Sequence, residues 1–546
     1  GKILSVKPSI VLGEELVTNG DFSDGTNGWS GQYTATISVL NSQLQVYNNQ
    51  NGNNRSSQGI TTVIGKSYNL KGTITNVDNS NGIQIKISNV FNLDGAYFNS
   101  AFNITTNSVK VEHTFIATSI TTYIGTNQNG VIGNTGFLDN VSVKEVLDAD
   151  FDFTRNSSAT RVNSQGLIED ITSNLPRIDY TGGVGHWLFE PQSTNLITQS
   201  EAFDNAYYAK IRSTISTDQI VSPDGTQNAD KFIEDSALGT KLLWTQDEVV
   251  SIGNVITWSV FAKKGERDWV LLKDTNAGNF SGYFDLENGV VGSTTSLDSS
   301  KIEDLGSGWY RCSITYTSTT TTARGRLYLA DANNGESYQG NGTSGLYIWG
   351  AQLEQNSYAT SYIPTEGSIS TRLQDAAFGA GSSDLINSTQ GVLYAEIAAL
   401  ADDVTNRRIT LSDGTNENRV VIGYNTTSNR IFYFIIVGGS AAAVGHYTSS
   451  DITQFSKVAV LFKLNDYALW VDGIERHTDT SGTIFSADTL NSLQFRSPLQ
   501  TANFFGKTKC VAVFKEALSN DELECLTGEG YDSFNALALA NNYTII

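Results

Sequence analysis

Residues 255–264 read VITWSVFAKK and residues 310–319 read YRCSITYTST. In each, apolar and polar side chains exchange at period two over most of the run, the period of a strand with one face buried. The same pattern recurs in TATISVLNSQLQVY (34–47), GIQIKISNV (82–90), VKVEHTFIA (109–117), DWVLLKD (268–274), GRLYLAD (325–331), RIFYFIIV (430–437), KVAVLFKL (457–464) and YALWVDG (467–473). β-Branched and aromatic residues fill these runs, and Gly, Asn and Asp clusters separate them. Repeated this often, with 50 glycines and few helical periods, the pattern predicts an all-β chain of tandem antiparallel β-sandwiches with few short helices.

At 546 residues the chain exceeds what one hydrophobic core serves, and three domains are expected. Formal net charge is −21 although only 17% of residues are charged, so no basic stripe stands ready to neutralise phosphates, and nucleic acid is not an expected partner. Cys312, Cys510 and Cys525 are too few and too scattered for a disulfide framework or a zinc site. No apolar run is long enough to cross a bilayer as a helix, so membrane insertion is not expected. With no Met in the sequence, Gly1 is not the expected encoded start and residues upstream of it are an expectation; trimming, a reconstructed sequence or mere composition are the alternatives.

One helix is legible, in KEALSNDELECLT (515–527), where Ser519 and Glu522 form a capping box and Leu523 and Leu526 an apolar stripe. The chain also repeats itself. ELVTNGDFSDGTNGW (15–29) and TNLITQSEAFDNAYYAK (194–210) share one order of parts, and their segments close alike in GFLDNVSVKEV (136–146) and LYIWGAQLEQNSY (346–358). The boundaries that follow are an N-terminal connector at 1–13, a first sandwich at 14–147, an ordered connector at 148–194, a second sandwich at 195–365 and a third unit at 366–546. The connector keeps Phe151, Phe153, Leu167, Ile168, Trp187 and Phe189, too many apolar anchors for a disordered linker.

The series DFTRNSSATRVNSQGLIEDITSNLPRIDY (152–180), WLFEPQSTNLITQSEAFDNAYYAK (187–210) and WGAQLEQNSYATSYIPTEGS (349–368) resembles segments that recur in bacteriophage tail-fibre, head-fibre or adhesin-like virion proteins. That resemblance implies a jelly roll closed by the last segment, with Tyr358, Tyr362 and Pro364 as a stiff interdomain joint; ordinary strand-end packing is the alternative. The first sandwich resembles a jelly-roll carbohydrate-binding module, in LVTNGDFSDGTNGW and FLDNVSV. The resemblance implies a structural calcium ion near Asp21 and Asp139, against the alternative that both residues serve turns. At the matching places in the second jelly roll stand Glu201 and Gln352, which makes a metal there a weaker expectation. ITQFSKVAVLFKLNDYALWVDGIERH (452–477), TLNSLQFRS (489–497) and KCVAVFKEALSNDELECLT (509–527) resemble a concanavalin A-like or laminin-G-like sandwich.

Catalytic patterns are missing from the sequence. No Glu–x–Asp–x–x–Glu strand is present, and Glu396 stands alone in YAEIAAL (394–400). His113, His186, His446 and His477 lack metal-site spacing, and TGGVG, VGGS and GAGSS lack the Lys or helix that phosphate binding needs. Aromatic residues beside polar ones suit sugar stacking. Trp29, Tyr33, Tyr47 and Arg55 bracket NNQNGNNR (48–55), and Tyr97, Phe98 and Tyr424 are further candidates.

The expected function is therefore non-enzymatic: a phage virion surface or fibre protein, homotrimeric, meeting cell-surface glycans and other virion proteins at the virion surface or extracellularly. The alternatives are a capsid decoration or spacer, a polysaccharide depolymerase, and a secreted bacterial adhesin.

Overall fold

The computed structural model describes residues 2–6, 11–64, 67–77, 82–100, 102–104, 106–130, 132–148, 151–528 and 544–545. The fold is all-β, in tandem antiparallel sandwiches, with one short helix among the described residues. It separates into two compact units, residues 10–149 and the remainder. Among the described residues no helix is long and apolar enough to cross a membrane.

The unit of residues 10–149 is a sandwich of two sheets. One runs Ser108–Ile116, Ser67–Asn76, Thr135–Asp148, Gln43–Tyr47, Thr36–Leu40, with Val11–Glu15 also paired to Thr135–Asp148; the other runs Ser30–Gln32, Gly52–Thr61, Thr121–Gly130, Ile83–Ser88, Phe98–Asn99. Alternation sends Leu44, Val46, Leu70, Ile74 and Leu138 inward from the first and Ile60, Ile85, Ile87 and Ile124 from the second. Asn48, Asn54 and Gln128 are also fully buried, so this interior is polar at one end.

In the larger unit, the second sandwich pairs a six-stranded sheet, Ser213–Ile220, Ala229–Glu234, Gly345–Glu354, Val255–Lys263, Trp309–Thr317, Ser299–Gly306, with a seven-stranded one. The latter runs Ala209–Ile211, Leu238–Trp244, Arg326–Ala330, Trp269–Asp274, Phe280–Asp285, Val290–Thr295, with Ser337–Gln339 on Leu238–Trp244. Trp258, Val260, Ile314 and Tyr316 of the first sheet meet Leu243, Val270, Leu272, Phe284, Leu327 and Leu329 of the second in one core. The opening strands of the sequence reading thus lie at its centre.

The third sandwich takes strands from outside its own stretch of sequence. Gly506–Phe514 pairs with Gln390–Ala399 on one edge; on the other it pairs with His186–Phe189 of the connector and with Lys2–Val6. Within residues 1–13, expected as a connector, Lys2–Val6 supplies a strand to this sheet and Val11–Glu15 begins one in the first sandwich, long-range pairings that no local pattern reports. The helix Asn520–Thr527 has the expected capping box at Ser519 and Glu522 and buries Leu523 and Leu526 against the sheet.

The connector packs through charge as well as through Phe151, Trp187 and Phe189. Arg177 pairs with Glu190 at 2.7 Å and with Asp375, Arg155 pairs with Asp375 at 3.1 Å, and Arg372 pairs with Glu190; all five side chains are essentially buried. Burial raises the cost of a charged Glu190, but Arg372 and Arg177 outweigh it and hold its carboxyl down at about 2. The closing segment joins the same network, with Ser361 N–H donating to Glu190 at 2.8 Å, Ile363 N–H to Gln352 at 2.7 Å and Thr360 N–H to Glu354 at 2.9 Å. Tyr362 sits against Trp349 and Phe261, with ring centroids at 4.6 and 5.7 Å, while Pro364 is exposed. Tyr358 is partly buried.

Candidate functional site

The expected residues of the first sandwich do not form one site. Trp29 is 6% exposed and packs on Phe22 at 5.3 Å within the core, so it cannot stack on a sugar. Tyr424, at 2% exposed beside Phe504, is likewise a core residue. In both cases the aromatic ring serves hydrophobic burial, which the sequence does not distinguish from display. Tyr47 is exposed but belongs to the six-stranded sheet, away from the strand that carries Arg55. Tyr97 is partly exposed and leans on Phe115, with Phe98 stacked on His113 at 3.7 Å.

Tyr33 and Arg55 do come together. Arg55 pairs with Asp94 at 2.6 Å, donates to Asn127 at 3.0 Å and to the Asn92 carbonyl at 2.5 Å, and lies 4.9 Å from the Tyr33 ring centroid. The Tyr33 hydroxyl donates to Asp94, and Asn92 donates to both Tyr33 and Asp94, at 3.0 and 2.7 Å. Asp94 is thereby held below the usual carboxylate range, chiefly by the Tyr33 and Arg55 hydrogen bonds. This cluster ties the 89–97 loop over the outer face of the five-stranded sheet, where Ser57 also donates to the Phe91 carbonyl. Its polar groups are largely committed to one another.

The two carboxylates expected to hold calcium have local partners. Asp21 accepts from Ser23 N–H and Oγ, and Asp139 accepts from Asn140 N–H at 2.7 Å and Gln43 at 3.4 Å. Among the described residues no group of three or more His, Cys, Asp or Glu side chains is placed to hold a metal ion. In the second sandwich, Glu201 accepts from Tyr362 at 2.9 Å and from Asn228 at 3.2 Å.

The richer surface lies on the outer face of the seven-stranded sheet, where no residue was singled out from sequence. Alternation that turns Leu243, Leu272 and Leu327 inward turns their neighbours outward, and strand register aligns them in rows. One row is Leu242, Tyr328, Leu271 and Tyr283; the next is Trp244, Arg326, Lys273 and Ser281; Trp269 stands opposite Ala330 and Asp285. Leu242, Leu271, Tyr283 and Tyr328 form a buried cluster, and the partly exposed rings of Trp244 and Trp269 pack on it as the aromatic faces open to solvent. Gly292 keeps Trp269 in place, since a Cβ there would come within 2.7 Å of its ring.

Polar groups border the rings. Arg326 lies 5.9 Å from the Trp244 centroid and donates to Asn276 at 3.1 Å, forming no ion pair among the described residues. Lys273 lies 5.6 Å from the Tyr328 centroid and pairs with Glu336 at 3.0 Å. Burial, with Glu336 and Tyr328 adding to it, pushes the Tyr283 phenol up to about 12, so it remains a neutral donor and acceptor at ordinary pH. Aromatic faces for C–H contact beside Arg, Lys, Glu and Asn for directional hydrogen bonds are what a pyranose requires. The sequence did carry a signal: KLLW, WVLL and RLYL break alternation with adjacent apolar residues, which marks strands that are apolar on both faces.

No protein-family model matches this chain, and no curated protein does. Among solved structures, a CBM4 chain is 18% identical, with 24% of this chain and 99% of that one covered and a TM-score of 0.21. The tandem CBM22-1–CBM22-2 domain of Paenibacillus barcinonensis Xyn10C is 10% identical, covering 64% and 100%, with a TM-score of 0.21. Domains LG4-5 of the mouse laminin alpha1 chain are 10% identical, covering 52% and 90%, with a TM-score of 0.18.

Proposed function

We propose that this protein is a non-enzymatic attachment protein whose second sandwich binds a surface glycan on the outer face of its seven-stranded sheet. The observation that carries this reading is the pair of partly exposed rings Trp244 and Trp269 on one sheet face with Arg326 and Lys273, over a buried layer that contains Tyr283 and Tyr328. The rigid connector, with its buried arginine–carboxylate network, suits a chain that transmits load between domains. The likeness of 152–210 and 349–368 to phage virion segments favours a place on a virion fibre, where copies in a homotrimer would add avidity to weak single sites.

A glycan array followed by chromatographic analysis of any bound polysaccharide tests the proposal. Binding without shortening of the polymer is the expected result. Cleavage products would replace attachment with depolymerisation, and absence of binding to any glycan would leave a spacer. Running the array with a chelator tests calcium, and a loss of binding would restore Asp21 and Asp139 as ligands.

A further inference from the structure

The third sandwich carries a second aromatic face, and its charge runs against that of the chain. Its five-stranded sheet runs Ser440–Thr448, Arg430–Val437, Arg419–Tyr424, Arg407–Ser412, Ser492–Gln494. Ile409, Leu411, Val420, Ile422, Tyr433 and Ile435 face the interior and are fully buried. The opposite face, by register, holds Arg408, Thr410, Arg419, Phe432 and Phe434. Phe432 and Phe434 stack at 5.6 Å, and the guanidinium carbons of Arg408 and Arg419 lie 5.3 and 5.0 Å from the Phe434 centroid.

Neither arginine has an anionic partner among the described residues. Among the described residues the Arg408 guanidinium donates to no protein group, and the Arg419 guanidinium donates only to the Asn416 side chain. Their Nε atoms are buried without partners, and beneath them the fully buried Thr410 hydroxyl is unpartnered too. Burial alone lowers Arg408, with no carboxylate acting against it; burial and then Arg408 itself lower Arg419, and Glu417 opposes this only at a distance. Two guanidiniums converge on one ring in a chain of net charge −21. A half-buried cation without a counter-charge is unfavourable, and the planar donor fork matches an oxyanion in bidentate fashion.

We infer that the outer face of this sheet binds an acidic saccharide, with its carboxylate or sulfate between Arg408 and Arg419 and its ring on Phe434. A stacked sugar uses the phenylalanine face, whereas a long polyanion such as nucleic acid would be repelled by the rest of the chain. This site is separate from the one proposed on the second sandwich, and it rests on that reading only in taking the ligand to be a saccharide.

The test is calorimetric titration of the full chain with a short sulfated oligosaccharide, a short oligogalacturonate, a neutral oligosaccharide and a single-stranded oligonucleotide. The wild type should bind the sulfated or the uronate probe, or both, more weakly as salt rises, and which of them binds identifies the anionic group. R408Q/R419Q should lower that affinity by about tenfold or more. V444E places a carboxylate opposite Phe434 on a side chain that is 57% exposed, and it should do the same with an unchanged melting temperature, which covers failure of the double variant to fold. W244A should leave acidic-saccharide binding intact. The inference is overturned if the wild type binds neither acidic probe, if binding survives both V444E and the arginine changes, if W244A alone abolishes it, or if the oligonucleotide binds more tightly than either saccharide.

Discussion

The arginines packed around the connector and those of the sheet faces are both poorly solvated, yet they are partnered in opposite ways. Arg155, Arg177 and Arg372 meet Glu190 and Asp375 in a closed network. Arg326, Arg408 and Arg419 lean on Trp244 and Phe434 and form no ion pair among the described residues. A charge satisfied within the chain stabilises its geometry; a charge left beside an aromatic face is available to a ligand. The difference predicts that one set governs stability and the other affinity.

The largest effect should come from breaking the network. Arg177→Ala leaves Glu190 and Asp375 buried beside fewer cations and should cost about 3–5 kcal/mol, read as a lower unfolding midpoint in denaturant. Replacing the whole network with apolar residues of similar volume should cost far less.

Acid should act on the same place. The Glu190 carboxyl is depressed from its ordinary 4.5 to about 2, so its contribution is fully present above pH 4.5 and disappears as pH falls toward 2. Acid unfolding of the wild type should steepen in that window, and in Glu190→Gln that component should be absent.

Changes on the sheet face should move binding instead. Trp244→Ala and Trp269→Ala should each weaken glycan affinity roughly tenfold, while circular dichroism stays that of the wild type. Smallest of all should be Tyr33→Phe. It removes a hydroxyl that donates to Asp94 and accepts from Asn92 in a solvent-exposed cluster, should lower the melting temperature only slightly, and should leave glycan binding unchanged.

Alternation at period two made the strands legible from sequence, and the Ser519–Glu522 spacing did the same for the helix. What remained hidden was contact between distant segments. Arg55 was visible as a candidate, but its partner Asp94 lies 39 residues away on a covering loop. Trp29 looked like a sugar platform because it sits beside turn residues, although its ring is needed for the core. The sheet-face residues were missed because attention to loops favours Tyr and Trp near Asn and Gly, whereas Trp244 and Trp269 lie within regular strands. Lys2–Val6 could not be assigned because its partner strand is some 500 residues later in the chain.

The most direct test is calorimetric titration of the tightest uncharged saccharide from a glycan array into wild type, W244A/W269A and Y33F/R55Q. Binding should be lost in W244A/W269A and retained in Y33F/R55Q. Equal affinity in wild type and W244A/W269A would contradict this and would place the site elsewhere on the chain.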